Sequence, residues 1–305
     1  MMRKNTIVFW SCTGVDAAEL SFGTAELLAE QRKALLAELP CLGIPRLGFV
    51  SGIMDRSRNT ESALMRFDQK NCLTWDMVHQ VNQKLALLPA SVFATPDCPV
   101  VTRVSFSALM DFVTALQELA WARGCRHLIL DCQGQLVNPM TFFSLKAADQ
   151  VVIPLSKPTE AAYALASIRR LIQVYKHSPE KFILAAVGDI KAIERIVYAK
   201  GKENESLKGI KVTSWDSRKI KMTLEQAFNF DDEELQSAED DGSLSGKEAG
   251  AEKPAPASQH FFNFEGEVPW GALLNEEASS WELKQDYWPA QARNDNGGEA
   301  GLVYL

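Results

Sequence analysis

No stretch of the 305-residue sequence approaches the ~20 consecutive apolar residues that a transmembrane helix needs. The start supplies no secretion signal either. "MMRKNTIVFW" has two basic residues, but the apolar run after them is too short. Twin-arginine, prenylation and myristoylation signals are missing as well. These absences predict a cytosolic chain without membrane insertion. Cysteine occurs six times, at Cys12, Cys41, Cys72, Cys98, Cys125 and Cys132, but never as a CxxC pair. No histidine completes a zinc spacing, so no metal site is expected and six free thiols are. The four histidines (His79, His127, His177, His260) are scattered, and none joins a Ser or Cys in a recognisable nucleophile motif. No internal repeat is visible.

What is present divides unevenly. The formal net charge is −7. Residues 231–305 hold 17 acidic and 4 basic side chains, leaving 22 acidic and 28 basic in residues 1–230. The acidity therefore belongs to the tail, and the body is mildly basic. Residues 229–260 are acidic and rich in Gly, Ser, Ala and Pro. Such a segment buries too little apolar surface to offset its ordering entropy, and it reads as a disordered linker. Aromatics return beyond it, at Phe261, Phe262, Phe264, Trp270, Trp281, Tyr287 and Trp288. In acidic surroundings they suggest a docking segment over 261–305 that binds a protein partner, the alternative being a segment that packs back on its own domain.

Residues 1–228 read as one α/β domain. Strands are expected at Thr6–Trp10, Ala34–Leu39, Ser91–Pro96, "RHLILDC", "QVVIPL", "KFILAAVGD" and "IKVTSW". Helices are expected at Ala17–Lys33, Thr74–Leu88, Ser105–Arg123, Met140–Ala148, Pro158–Lys176 and "AIERIVYAK". Ser105 or Ser107 can cap the third of these, and Gly124 sits where a helix ends in the left-handed region. On the fifth, Ala162, Leu165, Ile168 and Ile172 are expected to face inward. The segment Cys41–Leu73 looks irregular or weakly helical. Near-continuous apolar strands alternating with amphipathic helices predict a doubly wound, mostly parallel sheet covered on both faces.

Three constellations could carry chemistry. "IVFWSCTGVDAAE" has the strand–turn–helix form of a phosphate-binding loop. Such a loop wraps phosphate with backbone amides freed by glycines, neutralises it with lysine and holds Mg²⁺ with a hydroxyl. Here Gly14 alone remains of the glycines, and no lysine lies between Lys4 and Lys33. Asp16 places a carboxylate where a phosphate would sit, a repulsion of about 1–4 kcal/mol for unit charges ~4 Å apart. The second constellation is "HLILDCQGQL", an apolar strand ending in Asp131 in the manner of a magnesium-serving strand, with Gln133 and Gln135 able to orient a water. A structural role for all three is equally open. The third is a basic set from Lys191 to Lys221. Glu194, Glu203 and Glu205 interrupt it, so it reads as a solvated face more than a nucleic-acid footprint.

Taken in order, these pieces resemble the ParA/MinD family of P-loop ATPases. "IVFWSCTGVDAAELSFGTAELLAEQRKALLAEL" is similar to the family's first strand, deviant Walker A loop, first helix and second strand. "CRHLILDCQGQL" is similar to its Walker B strand and switch. "LKAADQVVIPLSKPTEAAYALASIRRLIQVY" is similar to its helix, Ala-Asp, strand ending in Pro, and long helix. The resemblance implies the fold derived above and a nucleotide site at Thr13, Gly14, Asp16, Ala17, Ala18, Asp131 and Gln133. The family's two loop lysines align with Thr13 and Ala17, and its Mg²⁺-binding hydroxyl aligns with Ala18. Where the family has aspartate after the second strand, Glu38 precedes Leu39 and Pro40. The site is thus expected to be vestigial, with no catalytic residues and no ATP or Mg²⁺ bound.

The chain also resembles the atypical TadZ/CpaE-type relatives that position pilus or secretion machinery. The leading expectation is a pseudo-ATPase scaffold for such a partner assembly, held by Phe261, Phe262, Phe264, Trp270, Trp281 and Trp288. It would be cytoplasmic, recruited to a membrane-associated assembly, and free to form a homodimer that needs no ATP. Two rivals remain: an active, unorthodox ATPase, and a DNA-binding partition or regulatory protein.

Overall fold

In a computed structural model, the structure describes residues 4–40, 44–93, 100–134, 136 and 138–240. Side chains are described as far as Phe228, with that of Gln133 excepted. The elements are β1 (Asn5–Ser11), α1 (Ala18–Ala29), β2 (Ala34–Glu38), α2 (Leu47–Ser51), α3 (Thr60–Lys70), β3 (His79–Gln80), β4 (Leu85–Leu88), α4 (Phe106–Ala122), β5 (His127–Gln133), α5 (Pro139–Ala147), β6 (Gln150–Leu155), α6 (Pro158–Tyr175), β7 (Phe182–Ala186), α7 (Ile190–Glu203), β8 (Lys211–Ser214) and α8 (Ser217–Asp240).

The strands form a single sheet in the order β3-β4-β2-β5-β1-β6-β7-β8. All its pairings are parallel except the antiparallel β3–β4 edge. β1 lies between β5 and β6, with Phe9 opposite both Asp131 and Val152. From β1 the chain crosses to β2 on one side, and later builds β6, β7 and β8 on the other. The crevice beyond the carboxyl end of β1 is therefore the switch point where open sheets place ligands.

Alternation along β1 explains the two layers. Ile7 and Phe9 face a core with Leu20, Ala25 and Leu28 of α1 and Ile220, Leu224 and Phe228 of α8. Val8 and Trp10 face a second core with Leu64 of α3, Phe112 and Leu116 of α4, Leu145 of α5, Ile168 of α6 and Ile193 of α7. Parallel strands are buried on both sides, which is why their sequences are near-continuous apolar runs. Gly23 permits close packing of α1 on α8, since a Cβ there would come within 2.7 Å of Ser217 Oγ.

Several local expectations hold. The Ser105 hydroxyl caps α4 by accepting from Ala108 N–H, and Gly124 follows that helix at φ +75°. Among the described residues Cys12, Cys72 and Cys125 are free thiols. Others are corrected. Thr74–Leu88 is not a helix. It forms a 3-10 turn at Trp75–Met77 and then the β3–β4 hairpin. Asn82 decides this, because its side-chain oxygen accepts from the N–H groups of Lys84 and Leu85, both at 2.9 Å. That side-chain turn competes with helix and releases Leu85–Leu88 to pair with β2. Ser91 is irregular and Val92–Phe93 form a turn rather than strand, and 94–96 lie outside the described residues. The segment 44–73 contains two true helices, α2 and α3. On α6 the inward face is Ala161, Ala164, Leu165, Ile168 and Leu171, so Ala162 is exposed. The backbone of α8 stays helical to Asp240, beyond the boundary expected at 228.

The α4 layer gives a stability test. Phe112 is fully buried and meets Phe67 edge-on at 5.9 Å between ring centroids. Phe112→Ala is expected to cost about 3–5 kcal/mol in urea unfolding. The half-exposed Tyr163 of α6 is expected to cost under about 0.5 kcal/mol on the same change.

Candidate functional site

The loop between β1 and α1 lies at the switch point. Gly14 sits at φ +81°, a conformation that favours glycine, and its N–H closes a turn on Ser11 O at 3.0 Å. The Thr13 hydroxyl donates to Pro154 O at 3.3 Å, joining the loop to the end of β6. Asp16 is the acidic centre of the loop. One carboxylate oxygen accepts the Ala18 N–H at 2.9 Å, at the first residue of α1. The other pairs with the Arg46 guanidinium at 3.1 Å. An anion is favourable at a helix N-terminus, because the first-turn amides lack helical partners. Here the chain's own side chain supplies that anion, and Arg46 supplies its counter-charge. Ala17 and Ala18 are fully buried and offer neither an amine nor a hydroxyl.

Below the loop lie two buried carboxylates on neighbouring strands, Asp131 of β5 and Glu38 of β2, which are direct register partners. Both are completely inaccessible to solvent. Asp131 accepts a hydrogen bond from the Ser21 hydroxyl of α1 at 2.8 Å, and its other oxygen has no hydrogen-bond partner among the described residues. Burial, and then the nearby charge of Glu38, push the Asp131 carboxyl up to about 8. Glu38 accepts from the N–H groups of Arg46 (2.7 Å), Leu47 (3.2 Å) and Ala90 (3.1 Å). It thereby fixes the start of α2 and the chain after β4. Burial still raises it to about 7, partly opposed by those three amides. Glu61 is likewise raised by burial, opposed by the Ser91 N–H.

The structure therefore brings together Thr13, Gly14, Asp16, Ala17, Ala18 and Asp131 of the expected set. Gln133 ends β5, but its side chain lies outside the described residues, as does Gln135. The aromatic residues Phe261, Phe262, Phe264, Trp270, Trp281 and Trp288 also lie outside them. Sequence reasoning missed Ser21 and Arg46. Ser21 is one helical turn beyond Ala18, where the buried face of α1 returns to β5. Arg46 is 30 residues from Asp16 in the chain, and no spacing rule links the two.

The raised carboxyls predict a pH dependence. Between the ordinary carboxylate value and about 8, folded Asp131 holds a proton that the unfolded chain has released. Glu38 does the same up to about 7. The folded state then binds more protons than the unfolded state, so stability falls as pH rises through this window. Thermal melts from pH 5 to 9 (about the range set by these groups) are expected to show Tm falling toward the alkaline side. Asp131→Asn, which keeps the acceptor for Ser21 without a charge, is expected to flatten most of the slope.

No protein-family model matches the sequence, and no curated protein is similar to it. Solved structures are similar in fold. A plasmid partition protein from Borrelia burgdorferi, in an iodide-soaked crystal, superposes with a TM-score of 0.53 at 14% identity, covering 74% of this chain and all of the other. An ATP complex of a Cyanothece McdA variant gives 0.51 at 15% identity, over 70% of this chain and 83% of that one. A chain of the MinC:MinD cell division protein complex of Aquifex aeolicus gives 0.50 at 15%, over 81% of this chain and all of that one. With its central β1, switch-point loop and Asp131 near the carboxyl end of β5, this chain has the fold of the ParA/MinD ATPases.

Proposed function

We propose that the protein is a pseudo-ATPase, a ParA/MinD-like scaffold that acts by holding a protein partner rather than by hydrolysing nucleotide. The observation that supports this reading is Asp16, which bonds the first amide of α1 and pairs with Arg46. A triphosphate entering the loop would displace that carboxylate or be repelled by it. It would find no lysine at Thr13 or Ala17 and no hydroxyl at Ala18. Asp131 is fully buried and already accepts from the Ser21 hydroxyl. The residues present do not fit Mg·ATP.

On this reading Thr13, Gly14, Asp16, Ala17, Ala18, Asp131 and Gln133 mark a vestigial site, and the surfaces do the work. The resemblance to TadZ/CpaE-type proteins favours pilus or secretion machinery as the assembly served. The aromatic, acidic segment 261–305 is the proposed partner-binding element, and any homodimer would form without ATP. In the MinC:MinD complex a protein of this fold is bound to a second protein. Among the described residues no helix is long and apolar enough to cross a membrane, so recruitment to a membrane-associated assembly would run through the partner.

Two measurements test the proposal. Titration calorimetry with Mg·ATP up to about 1 mM, a typical upper bound for a physiological substrate constant, is expected to show no binding heat. Micromolar affinity would overturn the pseudo-ATPase reading, and phosphate release that is lost in Asp131→Ala would favour an active ATPase instead. Deleting 261–305 is expected to abolish partner capture while leaving the Tm of the body within a few degrees (about 2–4 °C per kcal/mol for a domain of this size). A large loss of stability would make the tail part of the core.

A further inference from the structure

β8 ends the sheet and, among the described residues, pairs with β7 alone. Trp215 N–H donates to Ala186 O of β7 at 2.7 Å. Main-chain polar groups alternate sides along a strand. Those of Thr213 therefore also face β7, while the N–H and C=O of Val212 and the N–H of Ser214 face the outer edge. An edge of this kind is a template for another strand.

A cleft of about 450 Å³ runs beside that edge. One wall is a stripe of α7, where Glu194, Val197, Tyr198, Gly201 and Lys202 recur at helical spacing on one face. The opposite wall is the chain from Leu207 to Val212. The floor is apolar, made by Val197, Leu207, Ile210 and Val212. Gly201 is buried within the helix, and a Cβ there would meet Lys208 Cγ at 3.9 Å. The missing side chain deepens the cleft at that point. Tyr198 stands 66% exposed on the wall, with Lys202 Nζ 4.6 Å from its ring centroid. The lining carries Lys202 and Lys208 against Glu194. Over residues 190–211 there are six basic side chains and three acidic ones. An unfilled strand edge, an apolar floor and a basic rim thus occur side by side.

We propose that the β8 edge and this cleft form a docking site for an extended acidic peptide that carries an apolar side chain and adds to the sheet as a further strand. The main-chain groups of Val212 would set its register. Its apolar side chain would enter between Val197 and Ile210, and its carboxylates would meet Lys202 and, by displacing the exposed Glu205 carboxylate, Lys208. Duplex nucleic acid fits less well. Glu205 already pairs with Lys208 at 2.6 Å and Glu203 with Lys200 at 2.7 Å, which breaks the continuous positive track that a phosphate backbone needs. The apolar floor would also stay unused. β8 lies three strands from β1 in the sheet, so the inference does not depend on whether the β1–α1 loop binds nucleotide.

The test uses the full chain and a fluorescein-labelled peptide of about ten residues, enough to span a typical strand, alternating glutamate with valine around one phenylalanine. Fluorescence anisotropy is expected to show saturable binding. Lys202→Glu combined with Lys208→Glu should weaken it by about tenfold or more, and Tyr198→Ala should weaken it with the Tm unchanged. Hydrogen exchange at the Val212 and Ser214 amides should slow when the peptide is present. The proposal is overturned if no saturable binding occurs, or if the charge-reversed protein binds equally well. It is overturned equally if a lysine-for-glutamate version of the peptide binds as tightly, if a short DNA duplex displaces the peptide through the same residues, or if exchange at Val212 is unaltered.

Discussion

Strand β1 is hydrogen-bonded on both sides to parallel neighbours, β5 and β6, and parallel neighbours cannot be joined by a tight turn. Every connection to and from the sheet centre must therefore cross a face, and the crossing segments become the helical layers. The same pairing brings the carboxyl ends of β1, β2, β5 and β6 to one rim. Asp131, Glu38, the Thr13–Asp16 loop and Pro154 meet there because the sheet is parallel, although they are far apart in the chain. Packing, topology and the position of the site all follow from that central pairing.

The rim is acidic and largely dry. Glu38 and Asp131 are adjacent in register and fully buried, and a medium of low dielectric strongly disfavours two charges there. The fold tolerates them by dividing the burden. Glu38 collects three backbone amides, Asp131 collects Ser21, and Arg46 stays outside, paired with the half-exposed Asp16. The result is a polar core whose protonation is tied to folding. Buried polar groups of this kind are costly unless satisfied, and the Asp131 oxygen without a hydrogen-bond partner among the described residues makes it the least satisfied member.

Much of this architecture is legible from residue pattern alone. Strands buried on two faces have no amphipathic disguise, so β1, β2, β5, β6 and β7 stand out as apolar runs, and the ends of α4 are written in Ser105 and Gly124. What escapes detection is decided by side chains acting at short range against the pattern, or across long range without any. Residues 74–88 place apolar side chains at helical spacing, yet Asn82 captures two amides and turns the chain into a hairpin. At the site, Asp16 was identifiable from its place in the loop. Its partner Arg46 was not, because their meeting depends on where Glu38 anchors α2. The Ser21–Asp131 bond is hidden for the same reason, since it exists only once α1 lies across β5.

Asp16 has one more consequence. A carboxylate two residues from the amide it satisfies is held there by the chain, at an effective concentration of order millimolar or higher for so short a link. A free anion must outcompete that local concentration to take the helix terminus. In a loop that takes its anion from solvent, the first turn of α1 would tighten and relax with supply. Here the anion is covalently part of the loop, so the terminus carries its counter-charge without drawing on solvent.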